Sequence, residues 1–395
     1  MEYKFSKKLS DLKPSAIREI FKSLTDPEII SFAAGNPSPE SFPVSELAAI
    51  SADIFANNST AALQYSITEG YPQLREAVAK RQKDKFSIGA DDDTVLIVSG
   101  GQQGIELAAK VFCNEGDTII CEDPSFIGSL NSFRSNGINV VGVELEEDGI
   151  NTQLLEEALK ENENVKLLYV IPTFQNPAGI TTSLEKRQEI LRLAKKYDIV
   201  IVEDNPYGEL RFRGENVPTL KSMDDEGRVI YCSSFSKILS AGMRVGFVIA
   251  NEKIVSKMAV GKQGEDVHTN IFFQMLCYRY MTEYDIDAHI KEINDLYRHK
   301  CDLMLECIDK YVPSDKVTFT RPQGGLFIWG TVKGCDDVSP IVKKLLEKKV
   351  AVVPGSAFSC DTSASSGSFR LNYSTPSDEQ IVEGIKRLGE VFSEL

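Results

Sequence analysis

"VKLLYVIPTFQNPAGITTSLEKRQEILRLAKKYDIVIVED", residues 165–204, is the stretch that decides the fold. "VKLLYVIP" is a short continuous apolar run, the pattern of a strand covered on both faces. "TTSLEKRQEILRLAKKY" has Thr182 and Glu185 at the spacing of a helix-capping box and then continues with helical periodicity. "DIVIVED" is a second buried-type strand. Strand, helix and strand in this succession predict a βαβ unit with parallel strands. "TVLIVSG", "DTIICED", "RVIYCSS" and "VGFVIA" supply further strands between residues 94 and 250. The fold class expected is therefore α/β, a mostly parallel sheet flanked by helices.

The rest of the chain sets the surroundings of that sheet. Its 395 residues exceed one ordinary core, so a large domain and a smaller one are expected. "IISFAAGNPSPESFP", from residue 29, is punctuated by Gly and Pro as a loop arm would be. "DIDAHIKEINDLYRHKCDLMLECIDKY", from residue 285, reads as one long helix leading into a C-terminal α+β part. A hydrophobic content of 42% and a charged content of 26% are ordinary for a globular chain. The net charge of −14 opposes non-specific nucleic-acid binding, which needs a positive footprint. Eight scattered cysteines without a CxxC pair point to reduced thiols in a reducing compartment. The three histidines fit no zinc pattern, so no metal is expected. No apolar run has the length of a membrane span or a signal peptide, and a cytoplasmic location is expected.

In an open parallel sheet, ligands lie beyond the carboxyl ends of the strands. The residues just past each strand are therefore informative. After "TVLIV" comes "SGGQQGIELAAK", where Gly100, Gly101 and Gln102 open a helix whose free N–H groups suit a phosphate. It is neither a dinucleotide nor a Walker fingerprint. After "DTIICED" comes Phe126; after "VKLLYVIP" comes Asn176; after "DIVIVE" come Asp204 and Tyr207. After "RVIYC" comes "SSFSKILSAGMRVGF", carrying Ser234, Lys237 and Arg244. A phosphate cradle, a planar ring, a buried acid, a phenol, an amide, a lysine and an arginine converge on one sheet edge. Pyridoxal 5′-phosphate has a group for each: phosphate, aromatic ring, aldehyde and ring nitrogen.

With those motifs in order, together with "YSITEGYPQLREAVAKR" and "FRLNYS", the chain resembles the class I/II aminotransferases of the aspartate-aminotransferase-like fold (fold type I) over nearly its full length. The nearest subgroup is the broad-specificity aromatic or 2-aminoadipate type. The resemblance implies a small domain built from an N-terminal arm (1–44) and a C-terminal part (300–395). A large cofactor-binding domain (45–299) lies between them. It implies Lys237 as the Schiff-base lysine and proton carrier, and Asp204 as the partner of the pyridine nitrogen. Tyr207 and Asn176 would bond the ring's phenolic oxygen, and Phe126 would stack on its face. Gly101, Gln102, Ser234 and Arg244 would hold the phosphate. Many relatives carry a Ser, Thr or Ala where Gly101 stands, so here the backbone N–H is left as the donor. Arg370 would grip the substrate carboxylate with help from Asn176, Gly35 would close over the site, and Arg18 would face the substrate side chain. Tyr65 would reach the phosphate in a neighbouring subunit, which implies a homodimer with shared sites.

The function expected is transfer of the amino group from an aromatic, branched-chain or 2-aminoadipate-type L-amino acid to a 2-oxo acid, with 2-oxoglutarate as acceptor, in a ping-pong cycle. Alternatives are a β-lyase, racemase or decarboxylase reaction on the same scaffold, or a non-enzymatic sensor domain. The Ser234–Lys237 spacing also fits the SxxK pattern of penicillin-recognising enzymes, but their SDN and KTG strings do not occur.

Overall fold

The computed structural model describes residues 3–10 and 26–395. Arg18 and the helix-like stretch around it lie outside the described residues. The strands are β1 (Ile30–Ser31), β2 (Asp93–Val98), β3 (Thr118–Asp123), β4 (Asn139–Glu146), β5 (Gly149–Ile150), β6 (Val165–Val170), β7 (Val200–Asp204), β8 (Val229–Ser234) and β9 (Gly246–Asn251), followed by β10 (Val317–Phe319), β11 (Phe327–Val332), β12 (Val350–Ala351), β13 (Val353–Pro354) and β14 (Ser368–Asn372).

Eight strands form the main sheet in the order β2-β9-β8-β7-β6-β3-β4-β5. From β8 to β4 every pairing is parallel. β9 runs antiparallel to both β8 and β2. The cause is the connection: residues 235–245 join β8 to β9 without a crossover helix, and so short a link returns the chain beside itself. Two reversals restore direction, so β2 ends at the same edge as β3, β6, β7 and β8. β4 is a strand that the apolar-run reading passes over. It lies near the edge of the sheet, is half-exposed along its length, and carries a mixed sequence, NVVGVELE.

The helix Leu184–Tyr197 covers the sheet as its periodicity predicts, but its cap differs from the expectation. The Ser183 side chain accepts the Lys186 N–H, and Thr182 is instead buried, its carbonyl accepting from Arg187 Nε at 3.0 Å. Arg187 is wholly enclosed and its guanidinium needs backbone acceptors, which fixes the chain one residue further on before the helix starts.

The long helix Ile286–Tyr311 leads to an antiparallel second sheet, β10-β11-β14-β13. The helices Ser339–Glu347 and Asp378–Ser393 accompany it. The segment expected as a loop arm contains a 3-10 turn at Pro39–Ser41 and one two-residue strand, β1, which pairs in parallel with β12. Phe32 continues this, its N–H bonded to the Ala351 carbonyl and its own carbonyl to the Asn372 N–H (2.8 Å each). Gly384 lets the helix Asp378–Ser393 settle on Phe32, where a Cβ would come within 2.5 Å of the ring. Residues 33–35 are thereby carried between the second sheet and the strand ends of the first.

Candidate active site

The loop between β8 and β9 places Lys237 at the carboxyl edge of the main sheet. Its Nζ donates to the Gly35 carbonyl at 2.8 Å and lies 6.0 Å from the centre of the Tyr207 ring. Burial pulls its pKa down to about 8, and the positive charges of Arg370 and Arg244 act in the same direction. No carboxylate pairs with it among the described residues. A pKa brought this near to neutral pH leaves a fraction of the amine unprotonated, as a nucleophilic or proton-carrying amine requires.

Asp204, the last residue of β7, is 5% exposed and burial lifts its carboxyl to about 7. The hydrogen bond it accepts comes from Tyr169 Oη on β6, at 2.7 Å on Oδ2. Tyr207 is buried three residues further on, and burial raises its phenol above the usual range while Asn176 bonds to it. Its ring meets Phe327 edge to face at 5.8 Å.

Arg370, on β14, is 2% exposed and has no acidic partner among the described residues. Nη1 donates to Asn176 Oδ1 at 2.9 Å and Nη2 to the Ala33 carbonyl at 2.8 Å. Nε is buried without an acceptor. The rings of Phe327 and Phe358 lie 4.2 and 4.8 Å from its guanidinium carbon. Desolvation lowers its pKa to about 10, so it stays cationic at neutral pH. An enclosed, unpaired guanidinium is costly unless an anion arrives to meet it. Lys237, Gly35, Tyr207, Asn176 and Arg370 thus form one connected group.

A second group lies where β2 ends. Gly100, at φ 81° and ψ 159°, turns the chain into the helix Gly101–Phe112. A Cβ on Gly100 would stand 2.1 Å from Arg244 Nη2, so the guanidinium rests against bare backbone. Arg244, itself at φ 54°, is exposed, and its guanidinium hydrogen bonds among the described residues are long ones (3.4 Å), to the Ala241 and Ser99 carbonyls. Gly101 adjoins Ser234, whose Oγ accepts the Ser236 N–H at 3.0 Å. Gln102 bonds the Gly128 carbonyl, and a Cβ on Gly128 would touch both Gln102 and the Phe126 ring. A helix start, a hydroxyl and a lightly held arginine make a donor set that suits a phosphate. The acid, amine, phenol and amide beside it suit the remainder of pyridoxal phosphate.

Tyr65 stands apart from these groups: it is 82% exposed and meets the edge of His268. Several residues of the site escape sequence reading. Tyr169, Phe327, Phe358 and Ala33 look like ordinary core or arm residues. Glu122 offers a signal, a carboxylate closing an apolar strand. It is 1% exposed and burial lifts it to about 7, and it accepts from the Ile171 N–H and Gln175 Nε2, steadying the loop that presents Asn176. Among the described residues no group of His, Cys, Asp or Glu could hold a metal ion, and no helix is long and apolar enough to cross a membrane.

Comparison with known proteins agrees with this geometry. The model of the family "Aminotransferase class I and II" matches residues 27–388. The chain is 40% identical to aromatic-amino-acid aminotransferase 1 of Thermococcus litoralis over 394 residues, covering 99% of this chain and 94% of that one. It is 38% identical to the 2-aminoadipate transaminase of Thermus thermophilus, covering 99% and 97%. The crystal structure of Pyrococcus horikoshii kynurenine aminotransferase, in complex with pyridoxamine phosphate (PMP), superposes with a TM-score of 0.95 at 38% identity, covering 99% and 97%. The chain belongs to the class I and II aminotransferases and is a pyridoxal-phosphate-dependent enzyme that transfers amino groups between amino acids and oxo acids.

Proposed function

We propose that the enzyme takes the amino group from an L-amino acid of aromatic, branched-chain or 2-aminoadipate type and gives it to 2-oxoglutarate, the strand-end residues dividing the work. One observation carries the assignment of roles. Lys237 and the buried Asp204 lie at the carboxyl edge of the main sheet, and the unpaired Arg370 of β14 in the second sheet is brought to them by the arm, Lys237 bonding Gly35 and Arg370 bonding Ala33. Pyridoxal phosphate, when bound, supplies an aldehyde that condenses with amines and a ring that accepts an electron pair. Lys237 Nζ would hold the aldehyde carbon and, when free, would carry the proton from the substrate's α-carbon. Asp204 would keep the proton on the ring nitrogen. Tyr207 and Asn176 would bond the ring's phenolic oxygen, and Phe126 would cover its face. The N–H groups at Gly101 and Gln102, with Ser234 and Arg244, bind the phosphate. Arg370, oriented by Asn176 and Ala33, binds the substrate carboxylate, and Gly35 lies over the site.

The relatives with aromatic and 2-aminoadipate names support the donor class. We further propose that residues 1–44 join 300–395 as a small domain over the large domain, 45–299; the β1–β12 pairing supports this. Exposed Tyr65 supports a homodimer in which it reaches the partner's phosphate site. Eight unpaired thiols support a cytoplasmic location.

The test is spectroscopic. Purified protein loaded with pyridoxal phosphate should show a visible absorption band. L-phenylalanine, L-leucine or L-2-aminoadipate should bleach it, and 2-oxoglutarate should restore it. A band that none of the three donors bleaches would overturn the donor class, and one that 2-oxoglutarate fails to restore would overturn the acceptor.

A further inference from the structure

The side chain of Asp204 is held in place by a residue on a neighbouring strand. Tyr169 is fully buried in β6, its ring packed edge to face on Phe133 at 5.5 Å. Its hydroxyl accepts from Ser129 Oγ at 2.9 Å and donates to Asp204 Oδ2 at 2.7 Å. Ser129, in the helix Ile127–Ser135, is also fully buried. Three side chains from three elements therefore form one directed chain of hydrogen bonds that ends on the carboxylate. A phenol in an aliphatic strand core has no packing reason to carry its hydroxyl, which costs free energy unless bonded. Here the bond goes to the acid that closes β7, whose charge also acts on Tyr207 three residues on. No other hydrogen bond to this carboxylate occurs among the described residues, so Oδ1 is left available.

From this we infer that Tyr169, oriented by Ser129, is a positioning residue that fixes the plane of the Asp204 carboxylate and favours its ionised form, so that the carboxylate can hold a ring-nitrogen proton. The inference rests on the role given to Asp204 above. Its chemistry is simple. A donor on one oxygen spreads the negative charge and stops the carboxylate from turning, and a bond to a charged acceptor is stronger than one between neutral groups. Burial keeps the phenol protonated well beyond neutral pH, so it remains a donor throughout the working range. Without that donor, Asp204 would protonate more readily and the ring nitrogen would lose its proton more easily. Loss of that positive charge weakens nearby acids on the same conjugated system.

The experiment uses holoenzyme: wild type, Tyr169→Phe and Ser129→Ala, each saturated with pyridoxal phosphate. The visible band is titrated with pH, and kcat and KM are measured for one amino-acid donor. Tyr169→Phe keeps the ring and its packing, and is expected to move the spectroscopic midpoint to higher pH. It should also lower kcat about tenfold with KM unchanged, the effect of losing one hydrogen bond to a charged group. Ser129→Ala should move the midpoint the same way by less. Unchanged midpoints in both variants would overturn the inference while leaving the Asp204 assignment intact. A midpoint that also stays fixed in Asp204→Asn would instead overturn the role given to Asp204, and this inference with it. Loss of kcat with an unmoved midpoint would show Tyr169 to be structural only, and overturns it too.

Discussion

Arg370 and Asp204 show how single side chains are prepared by their surroundings. Among the described residues Arg370 has two neutral acceptors, Asn176 and the Ala33 carbonyl, against its desolvation, so in the proposed role an incoming carboxylate would complete its pairing. Arg370→Ala is expected to weaken amino-acid binding by about 3–5 kcal/mol, the scale for removing one partner of a buried charge pair. Steady-state KM for the donor should rise by two orders of magnitude or more, whereas the visible band of the holoenzyme should persist. Asp204 makes a different prediction, for the enzyme stripped of cofactor. Its carboxyl is raised from 3.8 to about 7, so the folded chain holds a proton that the unfolded chain has released between those values. Stability therefore falls as pH rises from 4 to 7 and stays lowered above 7. Asp204→Asn should accordingly stabilise the apoenzyme at pH 8, by up to about 4 kcal/mol, with the gain shrinking towards pH 4. Denaturant unfolding at the two pH values measures this. Equal gains at both would mean that the charge is not the cause.

At the scale of elements, the strand ends do the positioning. β6, β7 and β8 were legible because a buried parallel strand must be apolar along its whole length, and few other patterns look the same. For the same reason Lys237, Asp204 and Asn176 stood out as polar residues directly beyond such runs. β4 was not legible, since an edge-side strand alternates exposure and tolerates polar residues. The cap of the helix Leu184–Tyr197 was misplaced by one residue because buried Arg187 draws on the Thr182 carbonyl, a tertiary demand that local spacing does not contain. The turn into the helix Gly101–Phe112 gives a prediction of its own. Gly100 occupies a backbone region that is nearly exclusive to glycine and gives Arg244 a flat surface. Gly100→Ala should strain the turn by about 1–3 kcal/mol and displace the guanidinium. The dissociation constant for pyridoxal phosphate, from a fluorescence titration, should increase, and inorganic phosphate should protect the apoenzyme less against heat. Unaltered cofactor affinity would remove Arg244 from the phosphate site.

For the whole molecule, the apolar residues left in the open point to assembly. Leu63 is 74% exposed and Tyr65 82%, with Phe55, Ile67 and Val267 also exposed. Phe55 stacks on Phe272 and Tyr65 meets His268, which places both beside the start of the helix Ile271–Glu283. Sedimentation should return about twice the 43.8 kDa chain mass. Leu63→Asp should shift the equilibrium towards monomer and reduce cofactor affinity together, because Tyr65 would lose its target. A monomer with undiminished affinity would refute the shared site.

The sequence by itself determined the βαβ frame, the order of the strand-end residues and the chemistry they could share. Apolar periodicity and residue type are local properties, and they survive without coordinates. Only the tertiary structure decided which groups meet. Lys237 finds Gly35 across 202 residues, and Arg370 finds Ala33 across 337. It also decided that Tyr169, which looks like one more core aromatic, directs its hydroxyl at Asp204. Pairings at such separation arise from how sheets, arm and helices pack. The pKa shifts of Lys237 and Asp204 come from the burial that this packing imposes.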